Sequence, residues 1–442
     1  MFKSSKESGD YLGQIRNNIQ EKTDIVGRAL DTGNLPKTKN GVLRLVELGT
    51  GGGESLRRLK EKTSNLANTE LIAVDIIPEL LSSLKKEIGM EAVASDAGNL
   101  PFADESISAV NASAVLHEIS SYGTKSKEGV AIYGKEAVRQ ALLELNRVLL
   151  PEGIIAYRDV LAPVGDLNES KAVEYKGESW ELFAKWFLQD FVNSQPKIYK
   201  QSDIEIQKTG ENFSVTAPAG LQREFQRHYL MLRDYLRTVK TREFGVDMLR
   251  SVWLNETQGL KSITFSIEDR LISKVDLSVF DSHESAGGMV YVGNSDQFDQ
   301  MYDDLMSYYF STEDEETTAF KTLIEDWKER EGSEHYLYGN IIDILEMSIS
   351  NSIETNSEYV LFPNSADDVV IAPRFYYNRY LNQVSDNPEK DGKQIIALSK
   401  IHRSRVLKSL ESLEHSSFNG AVLNPVKLKE LRIKIESSHL SR

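Results

Sequence analysis

A short apolar run that stops abruptly on glycines constrains this chain more than any other feature. Val42 to Leu48 is compact and apolar enough for a buried strand, and Gly49-Thr50-Gly51-Gly52-Gly53 follows it at once. Residues 54–66 after the glycines have helical periodicity. A strand that passes through a glycine turn into a helix is the start of a βαβ unit, and the bare backbone at the turn lets a ligand approach closely. The pattern then repeats. Residues 71–77, 91–96, 106–113 and 153–161 read as further strands, while 78–88 and 135–149 read as helices, with Pro78 in a first turn where its missing N–H costs nothing. Strands alternating with helices at this spacing predict an α/β fold, a doubly wound parallel sheet with helices on both faces.

In such sheets ligands bind at the carboxyl ends of the strands near the point where strand order reverses. Gly49 and Gly51 lie at such an end, beside the Glu47 carboxylate. Asp75 ends the second strand, where it is placed to accept from both hydroxyls of a ribose. Asp96 ends the third, in reach of an exocyclic amine. Together these point to an adenine nucleoside. No Lys-Ser/Thr pair follows the glycines, so this is not a phosphate loop, and the sixth position counted from Gly49 is Glu54 rather than the glycine of a dinucleotide fingerprint. Glu47 would repel a pyrophosphate but suits an ammonium group. S-adenosylmethionine therefore fits better than NAD or ATP.

At these residues the chain resembles the class I S-adenosylmethionine-dependent methyltransferases. The similarity runs in order through residues 42–53, 72–77, 94–119 and 147–160, strongly over about 42–161. It implies a Rossmann-like methyltransferase sheet, with Glu47, Gly49 and Gly51 around the methionine portion, Asp75 and Ile76 at the ribose, and Asp96 and Ala97 at the adenine. Asn111 is counted with the cofactor residues, at a place where relatives often carry an apolar residue or Asp. Pro151-Glu152-Gly153 replaces the more usual Pro-Gly-Gly.

Methyl transfer is an in-line displacement on a sulfonium, so a protein must align the nucleophile and, where needed, take its proton. His117 follows the fourth strand and is the first candidate base, against the alternative of a histidine packed under the next helix. Arg158 and Asp159 end the fifth strand, as substrate anchors or as an ordinary charge pair. Tyr122 and His228 are candidate substrate contacts, whereas Tyr229 reads as core. Tyr11 and Arg16 on leading helices are candidates to close over the cofactor. Residues 326–339 gather Asp326, Glu331, Glu334 and His335 without any ligand-spacing signature, so they read as a solvated helix end and no metal is expected. Residues 374–381 interleave Arg374 and Arg379 with four aromatics, a composition of base-stacking surfaces and of plain core elements alike.

The chain is 442 residues long, enough for two or three domains of about 150 residues each. Boundaries are expected at 1–40 for leading helices, 41–282 for the methyltransferase domain and 283–442 for an appended α+β domain. Within the second, a helical insertion is expected over about 162–258 and a hairpin at 261–280 that completes the sheet. With no cysteine, disulfides, thiolate metal sites and cysteine nucleophiles are excluded. A net charge of −15 disfavours nucleic acid, although residues 389–442 carry 11 basic against 6 acidic side chains while 281–338 carry 3 against 15. The expected reading is a cytoplasmic enzyme, with no leader or membrane anchor, that methylates an O or N atom of a small molecule or peptide. An RNA methyltransferase using the basic C-terminal segment, and a non-catalytic S-adenosylmethionine-binding scaffold, are the rivals.

Overall fold

The computed structural model describes residues 19–438 except 127–128, 163–165, 196–197, 211, 239–243, 256–258, 313–314, 369–392 and 416–424. Tyr11, Arg16 and the aromatic segment 374–381 therefore lie outside the described residues. After helix α1 (Ile19–Thr32), the chain alternates as the pattern requires: β1 (Leu43–Leu48), α2 (Glu54–Thr63), β2 (Thr69–Asp75), α3 (Pro78–Ile88), β3 (Glu91–Ala94), β4 (Ile107–Ser113), α4 (Leu116–Tyr122), α5 (Gly134–Val148) and β5 (Leu149–Val160). Pro78 starts α3 and Gly89, at φ 69°, ends it, as the favoured residues for those positions.

The next segment contains β6 (Ser170–Lys176), α6 (Glu178–Ser194), β7 (Glu205–Thr209), β8 (Asn212–Pro218), α7 (Ala219–Thr238), β9 (Val246–Asn255), β10 (Gly259–Ile267), β11 (Asp281–Ser285), β12 (Gly288–Gly293), α8 (Ser295–Ser311) and α9 (Glu315–Trp327). The chain then runs through α10 (Ile341–Glu354), β13 (Tyr359–Asp368), β14 (Lys393–His402), α11 (Val406–His415) and α12 (Pro425–Glu436). It divides into two compact units, one built around residues 165–333 and the other from the segments before and after them.

The second unit holds a seven-stranded sheet in the order β13-β14-β5-β4-β1-β2-β3, with β1 to β5 parallel and β14 antiparallel to both neighbours. This corrects the expected hairpin. The strands that complete the sheet are β13 and β14, whose residues Lys393–Ser399 pair with Val160–Ile154 of β5. Residues 261–280 instead contribute to β10, which lies in a separate four-stranded sheet, β9-β10-β12-β11. The expected appended domain is corrected with it, because Ile344 of α10, Leu361 of β13 and Ile396 and Leu398 of β14 share one buried core with Val46, Val74, Val110 and Ile155. Full burial of each such side chain stabilises by about 1.5–3 kcal/mol, which binds the C-terminal strands into the same cooperative layer.

Residues 165–333 are not a purely helical insertion ending near 258. They carry that four-stranded sheet and a three-stranded one, β6-β8-β7, around helices α6 to α9. Their core is dense in aromatics, among them Trp180, Phe183, Phe187, Phe225 and Tyr229, with Tyr229 stacked on Trp180 at 3.6 Å. Among the described residues, no helix is long and apolar enough to cross a membrane.

Candidate active site

Strand order reverses at β1 and β4, and the residues singled out from the sequence gather at the carboxyl ends of these strands. Glu47 and Asn111 are direct neighbours in the parallel pairing of β1 with β4. Both are buried, and the Asn111 amide donates to Glu47 Oε2 at 2.7 Å, which fixes the carboxylate at the head of the glycine loop. The three conformational glycines of the loop have different duties. Gly49 has φ 70° and a Cβ there would come within 2.7 Å of Val115, while at Gly53, φ 76°, one would lie 2.4 Å from Leu84. Gly51 has φ 47° and open space where its Cβ would stand. The first and last glycines therefore let the loop pack on its own fold, and Gly51 leaves bare backbone facing open space.

Thr50 donates to Asp75 Oδ2 at 3.3 Å, and Asp75 Oδ1 accepts from the Ile77 N–H at 3.0 Å. A carboxylate has about four lone-pair sites, so this half-buried side chain keeps capacity for two hydroxyls. Ile76 beside it is half exposed and Ala97 is buried. Asp96 is more occupied than its sequence position suggests. It accepts from the Thr124 hydroxyl, from the Gly98 N–H at 2.8 Å and from the Lys125 N–H at 3.2 Å, so it ties the loop after β3 to the loop after α4.

The turn from β4 into α4 passes through Ala114 at φ 57°, a left-handed conformation that costs an alanine on the order of 1 kcal/mol, with the Ala114 N–H donating to Arg158 O at 2.7 Å. It carries His117 to the end of β5, where buried Asp159 accepts the His117 N–H at 3.1 Å and its ring Nδ1–H at 2.6 Å. On the ring's other side, Nε2 lies 3.4 Å from Glu334 Oε2, and Tyr336 stacks on the ring at 4.9 Å. Burial by itself would lower the His117 pKa, but Asp159 and Glu334 overcome it and push it up to about 10. Of the two alternatives for Asp159, the structure has the charge pair, made with His117.

Glu334 stands apart from the helix end expected around it. The solvated helix end expected at 326–339 holds for exposed Asp326, but Glu334, His335, Tyr336 and Tyr338 are buried. Ser121 secures the segment, accepting from the His335 N–H at 2.6 Å and donating to His117 O at 2.7 Å. The Tyr336 hydroxyl donates to Glu334 Oε2 at 2.7 Å, and that of Tyr122 reaches Oε1 at 3.4 Å. Tyr122 thus joins the cluster. Arg158 is buried at the same strand end. His228 belongs to the other compact unit, wholly buried beside Phe187 and Phe191 with Nδ1 on Glu224 O at 2.7 Å, and it offers no surface to a substrate. Tyr229 is core, as its pattern suggests.

Residues 46–157 match the family model of the methyltransferase domain. The resemblance to class I S-adenosylmethionine-dependent methyltransferases thus holds for this part of the chain, which is a methyltransferase domain on a Rossmann-like sheet. No curated protein matches the chain. Among solved structures it is similar to the CMeT domain of the citrinin polyketide synthase, at 16% identity over 33% of this chain and 35% of that one, with a TM-score of 0.26. It is also similar to a SAM-dependent methyltransferase from Aquifex aeolicus, at 18% identity over 40% and 81% of the two chains and a TM-score of 0.22. A third is a putative methyltransferase from Bacillus halodurans, at 13% identity over 46% and 99% and a TM-score of 0.24. The aligned part spans only about a third of the citrinin synthase domain.

Proposed function

We propose that the chain binds S-adenosylmethionine and catalyses methyl transfer to an O or N atom of a small molecule or peptide. One observation carries the cofactor part: the Asn111-fixed Glu47, the open backbone of Gly51 and the half-buried Asp75 share the carboxyl ends of β1 and β2. These residues fit the group. Asp75 suits the ribose hydroxyls, Glu47 the ammonium end, and Gly51 the close approach of the methionine portion. When bound, S-adenosylmethionine supplies a methyl group on a positively charged sulfur.

The protein's own part is to position the acceptor and exclude water. The buried cluster of His117, Asp159, Glu334 and Tyr336 follows β4 and supplies fixed charge there. Net acidity of −15 favours a neutral or basic acceptor over nucleic acid. The test is transfer of labelled methyl from S-adenosylmethionine to pooled small metabolites and to a peptide library. Labelling in either pool supports the reading, and labelling confined to added RNA contradicts it.

A further inference from the structure

Cofactor binding makes no use of one cluster beside this site. His117, Glu118 and Glu334 each offer a donor atom, and these atoms all lie within 4.8 Å of one another. Two donors about 2.1 Å from a common ion stand about 3.0 Å apart at an octahedral angle and about 3.4 Å apart at a tetrahedral one. His117 Nε2 and Glu334 Oε2 are 3.4 Å apart. The ring's other nitrogen, Nδ1, lies 2.6 Å from Asp159 Oδ1.

The groups behind the donors are also those that a metal site requires. Asp159 accepts from the Nδ1–H and sets the ring so that Nε2 lies toward Glu334. Tyr336 donates to Glu334 Oε2 and orients that carboxylate. A carboxylate-histidine relay of this kind fixes the tautomer and raises the basicity of the ligating nitrogen. Glu118 is half-buried, at the accessible side of the group, while His117 and Glu334 are buried.

We infer that His117 Nε2, Glu118 and Glu334 form a binding site for a divalent first-row metal ion, of which Mn²⁺ is the representative. One imidazole and two carboxylates suit such an ion, and the absence of cysteine removes the soft ligands that would favour copper(I). Three protein ligands leave coordination positions open to an oxygen donor, which the ion would polarise as a Lewis acid. The consequence for the acceptor rests on the function proposed above: an ion here selects a hydroxyl oxygen over an amine.

The test is titration of the full chain, stripped of metals with a chelator, with MnCl₂. Free Mn²⁺ is followed by electron paramagnetic resonance, and the melting temperature is the second readout. The expected result is one ion per chain, a melting temperature raised by Mn²⁺, and binding weakened at least tenfold in Glu118→Gln and in Glu334→Gln. Should Glu334→Gln fail to fold, the half-buried Glu118→Gln carries the test. Absence of saturable binding to the wild-type chain, or binding unchanged in the variants, overturns the site. Titration of the same sample with S-adenosylmethionine separates the two ideas. Mn²⁺ binding without S-adenosylmethionine binding keeps the ion site and removes the methyl-transfer reading, and the converse result removes the ion site alone.

Discussion

Replacing Asp159 by Asn tests how much the buried His117 pair contributes to the fold. The carboxylate accepts three N–H groups, from the His117 backbone, the His117 ring and Val160, at 3.1, 2.6 and 2.8 Å. An asparagine has one acceptor oxygen and turns its NH₂ toward at least one of those donors. Removing one partner of a buried ion pair costs about 3–5 kcal/mol, because the other charge is left without compensation. The raised His117 pKa points the same way: a rise from 6.5 to about 10, against burial and with Glu334 contributing beside Asp159, corresponds to on the order of 5 kcal/mol at about 1.36 kcal/mol per pH unit. The folded-state pKa is raised, so this stabilisation is fully present below pH 6.5 and is lost as pH rises through about 10. Asp159, Glu334, Glu118 and Tyr336 are the titratable groups around the ring.

The assay is urea unfolding of metal-free wild type and variant at several pH values from 6 to 10. We expect Asp159→Asn to lose about 3–5 kcal/mol near neutral pH with little change in slope against urea, and the wild-type advantage to shrink toward pH 10. A loss below about 1 kcal/mol, or an advantage that grows with pH, would refute the buried-pair reasoning.

Further expectations concern the loop, the sheet and the second core. Gly53→Ala, with a Cβ 2.4 Å from Leu84, should cost about 1–3 kcal/mol of stability. Gly51→Ala should cost only about 1 kcal/mol, through its positive φ, yet weaken S-adenosylmethionine binding in calorimetry more than Gly53→Ala does per unit of lost stability. Leu398→Ala, at a fully buried position in β14, should cost about 2–5 kcal/mol in chemical unfolding, and a chain truncated before Lys393 should lose the cooperative transition of the seven-stranded sheet. In the 165–333 unit, Trp180→Ala should lower stability by about 3–5 kcal/mol, read in the same unfolding assay.

The sequence was informative where structure is local. Strands β1 to β5 are short apolar runs set between helical periods, and each was legible to within a few residues because alternation and breakers such as Pro78 and Gly89 act over one or two turns. Which strands close the sheet was not legible. Residues 261–280 and 359–402 both hold β-forming runs, and the choice depends on which fits beside β5 after a long excursion. Glu47 and Asp75 could be placed because a strand end defines their position. The His117 environment could not. Its partners Asp159 and Glu334 come from a strand and a later segment far along the chain, and only the density of Tyr, His and carboxylates at 334–338 hinted at a buried polar cluster. The contacts of Asp96 were illegible for a related reason, since Thr124, which donates to it, arrives from a different loop.

Calorimetric titration of the wild type and of Asp75→Ala with S-adenosylmethionine and S-adenosylhomocysteine, with NAD as control, tests the central claim most directly. Saturable binding of both adenosyl ligands by the wild type, a marked weakening in Asp75→Ala, and no binding of NAD are expected. Preference for NAD, or S-adenosylmethionine affinity unchanged by the loss of Asp75, would contradict it.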